Sequence, residues 1–158
     1  MFNLRIRYLS FFFGLIAILS FFNVVYSYYL NLYLNLNTYY SSLISSLLIA
    51  LAFYKFEKKK TKISIFDKIL TVFFGYITIP LVLSLPFYLS IYNLSFLNSF
   101  FESVSGFTST GFTIFENIKH IDQSLILWRS STQWIGGLYF LFSIIYLIDF
   151  YDESFKKS

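Results

Sequence analysis

Between Tyr8 and Tyr54 the chain carries no charged side chain, a run of 47 residues. A helix needs about 20 apolar residues to cross a bilayer, so this run holds two crossings joined by a turn. The turn falls where Asn31, Asn35, Asn37, Thr38, Ser41 and Ser42 gather. Helices are therefore expected at about 8–30 and about 39–55. The opening MFNLRIRYLSFFFGLIAIL has the basic start of a signal peptide. Its apolar run is too long, and no small-residue cleavage site closes it, so it reads as a retained membrane anchor.

A second charge-free run of 33 residues extends from Ile69 to Phe101. That length exceeds one crossing and falls short of two. One full helix at about 66–91, then a half-length helix at about 94–105 re-entering from the far side, accommodates it. Pro80 and Pro86 fall inside the full helix and should kink it, and Asn93 or Ser95 can cap the half-helix. ENIKHID at 116–122 should face the outside, followed by a last helix at about 124–148. In that helix Gly136-Gly137 lets another backbone approach closely, while Trp128 and Trp134 suit interface or packing positions. The end, DFYDESFKKS, reads as a polar tail with Asp149, Asp152 and Glu153 solvated at a membrane exit.

Only 13% of the residues are charged, against about 25% in soluble chains, which places the chain in the membrane class. Ten of the 12 basic residues fall in three clusters: Arg5 and Arg7; Lys55, Lys58, Lys59, Lys60, Lys62 and Lys68; and Lys156 and Lys157. Placing all three on the cytoplasmic side satisfies the positive-inside bias and puts both chain ends there. The net charge of +4 thus points to lipid headgroups as the partner, with no nucleic acid. The expected fold class is an all-α polytopic membrane protein. Residues 1–62 are expected to form a helix pair with a basic loop, and residues 63–158 a helix, the half-length helix with the loop after it, and a last helix with a short tail.

Enzyme chemistry finds no footing. Cysteine is absent, which removes thiolate chemistry and disulfides. His120 is the sole histidine and has no second ligand nearby. No triad, metal cluster, phosphate loop or flanking carboxylate pair is present, and no cofactor is implied.

The segment Thr108-Ser109-Thr110-Gly111-Phe112 is poor helix material, because β-branched residues and glycine disfavour a helix interior. At membrane depth such backbone survives only when buried in protein or lining a water-filled cavity. Gly111 can adopt positive φ, letting the carbonyls before it turn toward one line. A row of carbonyls can replace the hydration shell of potassium. Gly106 is placed to end the preceding half-helix, whose negative C-terminal end favours a cation. Glu102 and Arg129 are costly at membrane depth unless paired or facing a polar cavity. They are expected near one another behind the loop, joined directly or through its backbone. The alternative has Glu102 attracting cations at the outer mouth.

The stretch FFESVSGFTSTGFT at 100–113, followed by LILWRSSTQWIGGLYFL at 125–141, resembles the first pore unit of the TrkH/KtrB potassium-uptake proteins. The filter reads Thr108-Ser109-Thr110 where a run of threonines is commoner in that family. The resemblance implies four membrane–pore–membrane units around one path, each giving one filter loop, with a leading helix pair outside the ring. It implies a bacterial inner-membrane protein that translocates potassium. Ser109 and Thr110 would present carbonyls, with Thr108, Gly111 and Phe112 completing the filter and Phe112 wedging the loop. Glu102, Gly106 and Arg129 would support it. The implied partners are the remaining pore units and a cytoplasmic nucleotide-binding regulatory ring. One loop cannot surround an ion, since potassium filters draw carbonyls from four sides. Three readings stand: a piece of a longer or split transporter, a homotetramer, or a non-transporting membrane interaction protein or remnant with a decayed loop.

Overall fold

A computed structural model of the chain describes residues 6–56 and 65–155. Most of the basic loop, including Lys58, Lys59, Lys60 and Lys62, lies outside those residues, as do Arg5, Lys156 and Lys157. The described residues form six α-helices in order: α1 (Ile6–Tyr29), α2 (Leu36–Lys55), α3 (Ile65–Leu83), α4 (Leu85–Tyr88), α5 (Phe96–Phe107) and α6 (Gln123–Phe155). A short 3-10 turn, Ile118–His120, precedes α6.

Among the described residues four segments are long and apolar enough to cross a membrane: Arg7–Tyr29, Leu36–Lys55, Ile65–Tyr88 and Gln123–Ile148. The chain is an all-α polytopic membrane protein, as its charge-free runs require.

α1 and α2 form an antiparallel hairpin. Asn31 closes α1 in the left-handed region at φ 56, and the amides of Asn31 and Leu32 return to the Tyr28 and Ser27 carbonyls. Asparagine tolerates that conformation better than most residues, which explains a turn without glycine. Hydroxyls stitch the two helices: Ser20 donates to Ser42 at 3.2 Å, and Ser10 to the Ala50 carbonyl at 2.7 Å. α1 also packs against α3 and α6, so it lies inside the bundle while much of α2 faces outward.

The third crossing is α3 and α4 together, interrupted at Ser84. Pro86 stands in the first turn of α4, where its missing N–H costs no helical bond. At Pro80 the helix runs through, and the Pro80 carbonyl takes the Ser103 hydroxyl of α5 at 2.6 Å. The interruption is therefore local to Pro86. Trp128 of α6 is fully buried, and its indole N–H donates to the Leu83 carbonyl beside the break at 3.1 Å. Trp134, by contrast, is exposed.

The last helix departs from expectation. α6 continues to Phe155, so residues 149–155, read as a polar tail, prolong the helix instead. Lys68, counted with the basic cluster of the sequence, packs inside the bundle. It is buried, donates to the Tyr146 carbonyl at 3.2 Å and lies 4.9 Å from the Tyr146 ring centroid. Its long apolar stem makes such burial feasible.

Close helix contacts are made at small residues, as packing between membrane helices favours. Tyr139 of α6 fills the space beside Gly75 of α3, Thr132 that beside Gly106 of α5, and the Phe107 backbone lies on Gly136. Gly137 faces open space, so the Gly-Gly pair serves close approach through its first member.

A candidate filter loop on a re-entrant helix

α5 enters from the end where α3 and α4 finish. Ser95 is its N-cap, the hydroxyl accepting from the Asn98 amide at 3.2 Å, so of the two candidate caps the chain uses Ser95. The helix stops at Phe107, beside Gly136, and Gly136 lies halfway along the α6 span. Twelve residues reach about 18 Å, roughly half a bilayer. α5 is a half-length re-entrant helix.

Its end is not at Gly106, which lies inside the last turn. The capping residue is Thr108, and Ser109 takes the left-handed conformation at φ 56. The Ser109 amide returns to the Gly106 carbonyl at 2.9 Å and the Thr110 amide to the Ser105 carbonyl at 3.1 Å. This two-bond closure usually employs glycine at the position of Ser109. Gly106 is needed for another reason: a Cβ there would press into Thr132. Gly111 does adopt positive φ, at 80.

Beyond the helix the loop is braced from below. The Ser105 hydroxyl donates to the Phe112 carbonyl at 2.6 Å and meets the Thr110 hydroxyl at 3.2 Å. The Thr108 hydroxyl folds back on the Val104 carbonyl at 2.8 Å. Glu102, fully buried, accepts from the Thr113 hydroxyl and the Ile114 amide through Oε1, each at 2.6 Å. Arg129 Nε stands 3.3 Å from Glu102 Oε2 without an aligned hydrogen bond, so charge alone joins those two atoms. The guanidinium also donates to the Gly111 and Phe112 carbonyls, both at 3.3 Å. The two residues thus meet both directly and through the loop backbone. A carboxylate with no exposure cannot face the outer mouth, which corrects the alternative role for Glu102.

The carbonyls therefore sort into two sets. Those of Gly111 and Phe112 are held by Arg129 and Ser105. Those of Thr108, Ser109 and Thr110 receive no donor among the described residues, and all three residues are exposed. Phe112 was expected to wedge the loop, but it is 70% exposed. Phe107 does that work, at 2% exposure, with its ring 5.6 Å from Tyr76 and 5.4 Å from Tyr139. A groove lined by Tyr76, Phe107, Thr108, Ser109, Gly136, Gly137 and Phe140 opens beside the helix end.

At the end of the bundle that holds the α1–α2 turn, a polar junction escaped the sequence reading. Asp122 Oδ2 accepts from Asn35 Nδ2 at 2.9 Å and from the Ser124 hydroxyl at 2.7 Å. Asn35 Oδ1 takes the Ile91 amide at 3.1 Å, and Tyr39 donates to Ser124 at 2.8 Å. The α1–α2 turn is thereby tied to the start of α6 and to the segment entering α5. An aspartate two residues before Ser124 at a helix start is a legible N-cap signal; its partner across the chain is not. His120 is exposed, and no group of metal-binding side chains occurs among the described residues.

A short helix thus runs into a non-helical loop, and both are held between helices long and apolar enough to span a membrane. Residues 35–151 match the family model TrkH, described as a cation transport protein, and the chain belongs to that family. It is 28% identical over 79% of its length to an uncharacterized cation transporter of Methanocaldococcus jannaschii. Over 40% of its length it is 44% identical to the Trk system potassium uptake protein TrkI of Halomonas elongata. Over 55% it is 28% identical to TrkG, a protein of the same description in Escherichia coli. The matched segments span 27%, 13% and 18% of those relatives. No solved structure matches the chain significantly.

Proposed function

We propose that the chain supplies one filter segment of a potassium-conducting pathway and acts only with further pore units around the same axis. The observation that carries this reading is the run of carbonyls without donors at three exposed residues, Thr108, Ser109 and Thr110. They lie at the negative end of α5, and such groups need water, a cation or protein in place of lipid. Ser109 and Thr110 coordinate the ion through backbone oxygen, Thr108 shares in this, and Gly111 permits the turn. Glu102, Gly106 and Arg129 hold the loop in place. Potassium is cargo, and the chain needs no resident cofactor.

The family resemblance adds the setting. The membrane is the bacterial inner membrane, with both chain ends cytoplasmic, and control comes from a nucleotide-binding ring on that side. The test is potassium-dependent growth of an uptake-deficient bacterium expressing the chain alone and with further units of the same transporter. Rescue only with the added units supports the reading, and rescue by the chain alone replaces it with self-assembly. No rescue in either arm, with the protein inserted, leaves a membrane protein that does not transport.

A further inference from the structure

The carbonyl of Phe107 ends the last turn of α5, and no N–H reaches it among the described residues. Helix ends leave such carbonyls for caps, water or ligand. Here the oxygen is neither open nor capped by a side chain: it abuts the α carbon of Gly136 in the middle of α6. A Cβ at that position would meet the carbonyl oxygen and lie 2.8 Å from the Phe107 Cα. Only a residue without a side chain permits the contact, which has the character of a Cα–H···O approach between membrane helices. The neighbouring Gly137 has nothing within 4 Å.

From this geometry we infer that Gly136 is a positioning residue for ion selection, a role that rests on the filter reading above. It seats the C-terminus of α5 against α6 and turns the Phe107 carbonyl away from the path. The row at Thr108, Ser109 and Thr110 begins one residue later, so its depth follows from that seat. Binding constellations tolerate displacements of only about 0.5 Å, and a methyl group at 136 demands more than that from backbone on both sides. The Gly106–Thr132 contact fixes the same helix one residue earlier but against a side chain, which can rotate. At Gly136 neither partner can yield without moving a helix.

The test compares Gly136→Ala with Gly137→Ala, which share the same gain in helix propensity. Both are made in the full chain, expressed with the further units of its transporter. Gly136→Ala should lower the potassium-to-sodium uptake ratio about tenfold while Gly137→Ala leaves it unchanged, with equal amounts of each protein in the membrane. A second arm needs no transport and separates failure of the inference from failure of the filter reading. The chain has no cysteine, so Thr108→Cys gives a single thiol whose labelling rate by a membrane-impermeant reagent reports the exposure of the helix end. Gly136→Ala should change that rate several-fold, and Gly137→Ala should not. Unchanged labelling and an unchanged uptake ratio would overturn the assignment. Loss of the Gly136→Ala protein from the membrane would also overturn it, making the glycine a folding residue only.

Discussion

Arg129 Nε lies 3.3 Å from Glu102 Oε2, and each residue of this pair also holds backbone of the loop between them. Glu102 grips the loop at Thr113 and Ile114, and Arg129 grips the carbonyls of Gly111 and Phe112. The pair joins α5 to α6 with that stretch of loop clamped between.

Removing one charge should therefore cost more than removing both. Arg129→Leu leaves a carboxylate with no exposure uncompensated, which costs about 3–5 kcal/mol. Glu102→Gln keeps an acceptor for Ile114 and Thr113 and should cost less. The double variant should recover part of the Arg129→Leu loss. Thermal unfolding of the detergent-purified variants, arranged as a double-mutant cycle, checks this; strictly additive effects would mean the two charges do not interact.

At Gly111 the cost is confined to the backbone. Its φ is 80 and nothing lies within 4 Å of an added Cβ, so Gly111→Ala should cost about 1–2 kcal/mol through the left-handed conformation alone. Gly111→Asp adds a charge beside the carbonyl row and should abolish potassium uptake while insertion stays unchanged. Isotope uptake and membrane fractionation read the two effects separately; uptake that survives Gly111→Asp removes the loop from the filter.

The Asn35–Asp122 junction offers an exchange test. Asn35→Asp sets two carboxylates against each other where Asn35 now donates to Asp122, and should destabilise the chain by about 1–3 kcal/mol. Asp122→Asn removes the acceptor charge shared by Asn35 and Ser124. The double variant, Asn35→Asp with Asp122→Asn, restores one donor and one acceptor with reversed roles, and should be more stable than Asn35→Asp alone. Protease resistance of the α1–α2 hairpin in membranes gives the readout.

Trp128→Phe should cost about 1–3 kcal/mol, since the Leu83 carbonyl beside the helix break loses its indole donor. The loss should appear in thermal unfolding; an unchanged midpoint would mean the carbonyl finds another donor.

Much of this architecture is legible along the chain because it follows from two strong signals. Charge-free length counts the crossings, and a 33-residue run between Ile69 and Phe101 leaves no simpler solution than a helix and a half. The meeting of Glu102 and Arg129 follows from the cost of isolated charges at membrane depth. What resists reading is which backbone group faces which side chain. Gly106 looks like a helix terminator, but the helix ends past it because Ser109 accepts the left-handed conformation and Thr132 needs the space. Phe112 and Phe107 are the same residue type five positions apart, and only the curvature of the loop decides that Phe107 is the one buried. The Asn35–Asp122 bond joins residues 87 apart in sequence, a pairing no local pattern contains.

The bracing of the loop is uneven along its length, and proton exchange with solvent should register this. Amides of Thr108, Ser109 and Thr110 return to carbonyls of α5, and that of Ile114 is taken by Glu102. Amides of Gly111, Phe112 and Thr113 have no acceptor among the described residues. In deuterated water the segment should therefore exchange as two slow stretches enclosing three fast positions, because protection follows the bonds that must open. The Thr108 and Ser109 carbonyls would then stand on the stiffest peptide units of the loop, while that of Thr110, which shares its unit with the Gly111 amide, would open the compliant part.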